Sequence, residues 1–259
     1  LKHLYAWFVD TATRMNPDLQ YAQAIHGITK GRGIGIIDTI HLMEVAQAIH
    51  IFEESGLIPP HELAAIKSWF ADYIRWLMTS KNGRDEMNAK NNHGTCWVMQ
   101  VAAFAKVTHD TSVLNFCRNR YEQVLLPDQM AANGSFPKEL ARTKPYGYSL
   151  FNLDAMTTIC QIVSDSTHHL WKYTTSDGRN IQLGLGYMFP YVKDKNAWPK
   201  KPDVMYWKYW PVAQPFLIFG AVAFNNPSYF QLWKKLKHDL TVDEIIRNVP
   251  VRHPLIWLY

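Results

Sequence analysis

Apolar residues recur at helical spacing along nearly the whole chain, and alternating apolar–polar stretches are scarce. Leu1, Leu4, Tyr5 and Phe8 follow the i, i+3, i+4, i+7 pattern of a helix with one buried face. Residues 38–55 (DTIHLMEVAQAIHIFEES) open on Asp38 or Thr39 as an N-cap and stop at Gly56. Residues 59–80 begin with two prolines, which suit a first turn, and end before Asn82-Gly83. Residues 94–108 and 110–126 read as a helix pair, the second stopped by Pro127. Further helices are expected over 149–165, 178–192, 214–224 and 227–239. The connections 129–148 and 192–211 are long and rich in Gly, Pro and aromatic residues. This pattern predicts an all-α fold of antiparallel helix hairpins packed in a ring or layer, with a site built from long loops at one end. No repeat of fixed period is evident, which disfavours a regular solenoid. Gly31–Gly35 (GRGIG) has no strand before it and no Walker Lys-Ser/Thr, so it reads as a flexible turn rather than a phosphate loop.

Composition narrows the class. A chain of 259 residues can bury one sizeable core as a single domain over 1–259. Ten Trp and thirteen Tyr make a high aromatic fraction; much of it is expected in the core, and some suits platforms for sugar rings, whose C–H faces stack on aromatics. The net charge of +5 favours anionic partners without separating nucleic acid from an acidic polysaccharide. No run of about 18 apolar residues exists, so no membrane span is expected; Leu217–Phe224 reads as a buried helix. The chain starts at Leu1, and reads as processed or truncated. Cys96, Cys117 and Cys160 are isolated in apolar helical contexts, which favours buried free thiols over one disulfide plus one thiol. Asn133-Gly134-Ser135 fits a glycosylation acceptor pattern in a secreted eukaryotic protein. His168-His169 is the nearest approach to a metal site, but adjacent residues rarely chelate one ion, so no metal is expected.

Two stretches carry candidate chemistry. Asn91, Asn92 and His93 stand just ahead of an apolar helix, where a plain N-cap with a neighbouring imidazole is the bland explanation. Some fifty residues on, Arg142, Lys144, Tyr146 and Tyr148 crowd ahead of a second apolar helix. A cation beside a tyrosine at a helix mouth suits an anionic substrate.

"NNHGT" followed by "ELARTKPYGYSLFNL" resembles the alginate lyase-like superfamily of polysaccharide lyases. Residues 15–42 and 210–224 resemble the same family, so the likeness spans most of the chain. It implies an all-helical incomplete (α/α) toroid, here lacking some early helices, and β-elimination on a uronic-acid polymer of alginate or glucuronan type, with no cofactor. It also implies a secreted or periplasmic protein whose partner is an anionic polysaccharide, not nucleic acid or membrane. Residue by residue, Asn92 and His93 match the family's Asn-His pair, Arg142 its arginine and Tyr148 its catalytic tyrosine. The spacing from arginine to tyrosine is one residue shorter than in the better-known branch, and Tyr146 lies close by, which leaves the tyrosine assignment open. Cys96-Trp97 replaces the Trp-Tyr pair often found after NNHGT, leaving the uronan unassigned.

The residue types suit elimination. Removing the weakly acidic C5 proton of a uronate builds charge on its carboxylate, which amide and guanidinium donors stabilise. Asn92 and Arg142 supply these donors, Tyr148 is the candidate acid for the leaving O4, and His93 or an ionised tyrosine is the candidate base. Asn91, Gln23, Lys144 and Tyr146 are expected to contact substrate, with Tyr206, Trp207, Tyr209 and Trp210 bordering the cleft. Two other classes compete: a non-catalytic polyanion-binding module, and a helical-toroid glycoside hydrolase. The latter needs a carboxyl pair, and Asp38, Glu44, Asp154 and Asp203 form none that the sequence defends.

Overall fold

The computed structural model describes residues 1–258, and they form an all-α molecule; the only β pairing among them is an isolated bridge between Ile25 and Thr29. The architecture is organised by two helices that are buried on every side. In the helix Asn92–Thr108, each residue from Gly94 to Ala105 is buried; in Pro145–Val163, each residue from Ser149 to Cys160 is buried. A helix that is apolar all round belongs at the centre of a fold, and these two pack directly on one another. Around Asn92–Thr108 lie Leu42–Glu54, Pro60–Thr79 and Thr111–Arg120. Pro145–Val163 is flanked by Ile181–Lys193 and Pro215–Ala223, the latter in turn packed on Pro227–Lys235. Both central helices start at the same end of the molecule, so their N-termini and the loops before them come together.

The expected helices are present, with informative shifts at their ends. The Leu42–Glu54 helix starts after His41 without a side-chain cap, so neither Asp38 nor Thr39 caps it. Both sit instead in a 3₁₀ helix, Gly33–Thr39. Gly31–Gly35 is therefore not a flexible turn at its C-terminal end: Gly33 and Gly35 are buried, and a Cβ on Gly35 would stand 2.5 Å from that of Ala22. The glycines are there for close packing. Pro127 does not stop the helical path either. The chain widens into a π turn over Tyr121–Leu125 and continues as Leu126–Gln129, with Pro127 in the first turn. A proline ring cannot sit against the carbonyl four residues back, and the wider turn relieves that clash. The N-terminal segment is split into Lys2–Leu4 and a π turn, Tyr5–Val9, and only Phe8 is buried. Cys96, Cys117 and Cys160 are buried free thiols, and no single helix among the described residues is long and apolar enough to cross a membrane.

Three buried carboxyls fix the helix starts around the site. Asp203, from the long 192–211 connection, accepts hydrogen bonds from the backbone N–H of Tyr146 (2.8 Å) and Gly147 (2.9 Å). Gly147 must lack a side chain, because a Cβ would stand 2.8 Å from that carboxylate. Asp154 accepts from the N–H of Phe216 (2.9 Å) and so caps the Pro215–Ala223 helix. Glu139 accepts from the N–H of Asn92 at 2.6 Å.

Candidate active site

A cleft of about 480 Å³ opens where the two central helices begin. Asn92 and His93 reach it from the start of one, Tyr148 from the first turn of the other, and Arg142 and Lys144 from the loop between Pro137–Leu140 and Pro145–Val163. Gln23, Asp38 and His41 form one flank, and Glu244 and Arg247 of the Asp243–Arg247 helix another. The dipoles of two helices converge on the cleft with their positive ends, and Arg142, Lys144 and Arg247 add charge.

Each catalytic candidate is held by a specific partner. His93 Nδ1 lies 2.6 Å from Oε1 of Glu86, a carboxylate only 1% exposed. With Glu86 ionised, Nδ1 carries the proton and Nε2 is left to accept one. Burial raises the Glu86 pKa, opposed by the hydrogen bond and charge of His93. Asn92 is also buried. Its Nδ2 donates to Glu139 Oε2 (3.1 Å), and its Oδ1 has no protein partner. The same Oε2 accepts from Arg142 Nη1 at 3.2 Å. The Arg142 guanidinium lies over the Tyr148 ring, 3.8 Å from its centroid, and Lys144 Nζ lies 4.9 Å from it. Lys144 also pairs with Glu244. Burial would lower the Lys144 pKa, but Glu244 and Tyr148 outweigh it and hold the ammonium above its ordinary value. Two cations, Arg142 and Lys144, thus stand against the Tyr148 ring.

The loop aromatics behave differently from expectation. Tyr146 is fully buried: its hydroxyl donates to the carbonyl of Tyr191 (3.0 Å), and its ring packs edge-on against Trp198 and Trp207. It is a core residue, not a substrate ligand, because helical geometry turns residues two apart to different faces. Burial drives its phenol pKa far up, with Asp203 adding to the effect. Trp207 packs on Tyr146, and Tyr209 lines a separate depression with Lys208 and Leu240. Neither borders the cleft. Tyr206 and the buried Trp210 line a small recess that adjoins the cleft and shares Lys144, Tyr148 and Glu244 with it. Asn91 is the N-cap of its helix, accepting from the His93 N–H at 3.3 Å, and is not on the cleft wall. Gln23 does line the cleft; its Nε2 donates to Asp38 at 3.1 Å and its Oε1 accepts from Arg32 Nη2 at 3.3 Å.

Five residues of this site had no role assigned from sequence. Glu86 and Glu139 stand behind the Asn-His pair; Glu139 opens the ELART stretch three residues before Arg142 and Glu86 belongs to no motif, and burial and reach reveal what each does. Glu244 and Arg247 arrive from about a hundred residues downstream, and Arg247 spans Asp38 (3.6 Å) and Glu244 (3.7 Å). His41 sits on the wall with both ring nitrogens unpartnered, its pKa lowered by burial and by Arg252. Of the four carboxyls considered for hydrolysis, only Asp38 faces the cleft. Asp154 and Asp203 cap helices, and Glu44 accepts from the N–H groups of Arg252 and His253. No cluster of three or more His, Cys, Asp or Glu among the described residues is arranged to hold a metal ion, and His168 pairs with Glu122 at 2.8 Å.

The family model described as alginate lyase matches residues 1–198, which include both helix mouths. The chain belongs to the alginate lyase family. Among solved structures it is similar to an alginate lyase from Bacteroides ovatus, at 29% sequence identity and a TM-score of 0.80. That likeness covers 96% of this chain and 66% of the other, so the chain spans a little under two thirds of that relative's length. A comparison with curated proteins finds no match. Membership in the alginate lyase family agrees with the all-α architecture and with a cleft edged by cations.

Proposed function

We propose that this protein is a polysaccharide lyase that cleaves a 1,4-linked uronic-acid polymer by β-elimination, leaving an unsaturated uronate at the new non-reducing end. The observation that carries this reading is the meeting of His93, Asn92, Arg142 and Tyr148 on one cleft, drawn from two helix mouths. Family membership supports it.

In this mechanism the substrate carboxylate lies between Arg142 and the Asn92 amide. As the C5 proton leaves, charge moves onto that carboxylate, and donors already in place stabilise it without reorganisation. His93 Nε2, its ring fixed by Glu86, takes the C5 proton when that proton faces it. Tyr148 gives its hydroxyl proton to O4 as the C4–O4 bond breaks. When C5–H and O4 share a face, Tyr148 ionised beside Arg142 and Lys144 first takes the C5 proton and then returns it to O4. Neutralisation by protein cations leaves no step that calls for a metal ion. Uronans lie outside the cytoplasm, which makes a secreted or periplasmic protein the fitting setting.

The test is a panel of polymannuronate, polyguluronate, glucuronan and glycosaminoglycans, read by the ultraviolet absorbance of the unsaturated uronate. Absorbance on at least one uronan supports a lyase. Binding without absorbance favours a polyanion-binding module, and reducing ends without absorbance favour a hydrolase.

A further inference from the structure

Asn92 and Arg142 come from different elements, yet both are tied to one carboxylate. Glu139 is 1% exposed. Its Oε1 accepts from the Asn92 backbone N–H, and its Oε2 accepts from both Asn92 Nδ2 and Arg142 Nη1. We propose that Glu139 is a positioning residue of the lyase site, a clamp that sets the rotation of the Asn92 amide and the placement of the Arg142 guanidinium as one unit. This rests on the lyase reading above.

Asn92 presents two chemically opposite ends, and only the Nδ2 end can donate to a substrate carboxylate. A carboxylate accepts but does not donate, so Glu139 selects the rotamer in which Nδ2 faces Oε2. One Nδ2 hydrogen is then used by Glu139, and the second is left for substrate. Oδ1, buried and without a protein partner, is kept away from Glu139. The opposite rotamer would set Oδ1 against Oε2 and cost the repulsion of two acceptors in a low-dielectric site. Unheld, a guanidinium beside an open cleft can follow an anionic substrate in many poses. Bound through Nη1 to Glu139 and laid on Tyr148, it offers its remaining N–H groups from a fixed plane.

Helix capping alone would also bury a carboxylate at this place, and the two roles make different forecasts. Glu139→Gln preserves shape and one carbonyl oxygen for the Asn92 N–H. Its amide N–H₂ donates, however, and so turns the Asn92 amide to present Oδ1 and releases Arg142 from its anion. The experiment measures kcat and KM by unsaturated-uronate absorbance for wild type, Glu139→Gln, Asn92→Ala and the double variant. Circular dichroism and thermal melting run in parallel on each protein.

Glu139→Gln is expected to lower kcat by about a hundredfold, the scale of losing an aligned oxyanion donor. In the Asn92→Ala background the same change is expected to cost about tenfold or less, because the amide it orients is already gone. Equal losses in both backgrounds, or a lower melting midpoint with kcat unchanged, would overturn the clamp and leave Glu139 a cap. A wild-type protein that produces no absorbance on any uronan overturns the lyase reading and the clamp with it. An active wild type with an undamaged Glu139→Gln overturns the clamp alone.

Discussion

Replacing Asp203 by alanine probes how the fold holds Tyr148, the proposed acid, in place. Asp203 lies in the long 192–211 connection, 5% exposed, and accepts from the N–H groups of Tyr146 and Gly147. These are first-turn donors of the 19-residue helix that carries Tyr148, and intrahelical bonds do not satisfy them. Hydrogen bonds to a charged acceptor contribute about 1.5–3 kcal/mol each, and burying the carboxylate offsets part of that. Burial is indeed the largest influence on the Asp203 pKa and raises it, against the two N–H groups and Lys144 and Lys195. A net loss of about 3 kcal/mol follows for Asp203→Ala, since two buried N–H groups lose their acceptor. Asp203→Asn keeps one acceptor oxygen and costs about 1–2 kcal/mol. For a chain of this size the alanine variant should melt about 6–12 °C below wild type. Thermal melting by circular dichroism measures this, and lyase turnover on the folded variant reports whether Tyr148 has shifted. A midpoint within about 1 °C of wild type would show that the connection does not anchor this helix, and would refute the reasoning.

Three further outcomes are expected. Burial holds the Asp154 carboxyl well above its ordinary value, so the folded state keeps a proton that the unfolded chain releases; its contribution is present below about pH 4 and lost as pH rises through the folded pKa. Asp154→Asn removes that loss and should lose less stability than wild type between about pH 4 and pH 8, whereas identical pH slopes in denaturant titrations would exclude it. Glu86→Gln can donate to His93 Nδ1 and so place the ring proton on Nε2; turnover on a substrate that uses His93 as base should fall by about two to four orders of magnitude, and a fall in melting midpoint alone would make Glu86 merely structural. EDTA should leave turnover within about twofold of the untreated enzyme, and full loss restored by one divalent cation would contradict neutralisation by Arg142.

The helical class and both halves of the site were legible because each rests on a local signal. Apolar spacing marked the two central helices, and polar clusters at their mouths marked Asn92, His93, Arg142 and Tyr148. What stayed hidden depends on long-range placement. Glu244 and Arg247 reach the site from far along the chain, nothing near Glu86 distinguishes it from surface charge, and Glu139, though inside the ELART stretch, shows its role only through its burial against Asn92. The tyrosines show the same limit from the other side. Tyr146 and Tyr148 are equivalent as letters, yet burial puts one against Tyr191 and Trp198 and the other under Arg142. The 192–211 aromatics suggested a sugar platform; Trp198 and Trp207 instead pack on Tyr146, and the connection's Asp203 caps the helix.

The central claim is that Tyr148 transfers a proton at the cleft. The direct measurement compares Tyr148→Phe with wild type in unsaturated-uronate production, on protein shown to be folded by circular dichroism. Removing only the hydroxyl leaves the ring under Arg142, so turnover should drop by about two to four orders of magnitude with little change in melting midpoint. Tyr146→Phe, which loses its bond to the Tyr191 carbonyl, should lower the midpoint and keep turnover near wild type. A nearly normal Tyr148→Phe beside an inactive, folded Tyr146→Phe would contradict the assignment of the acid.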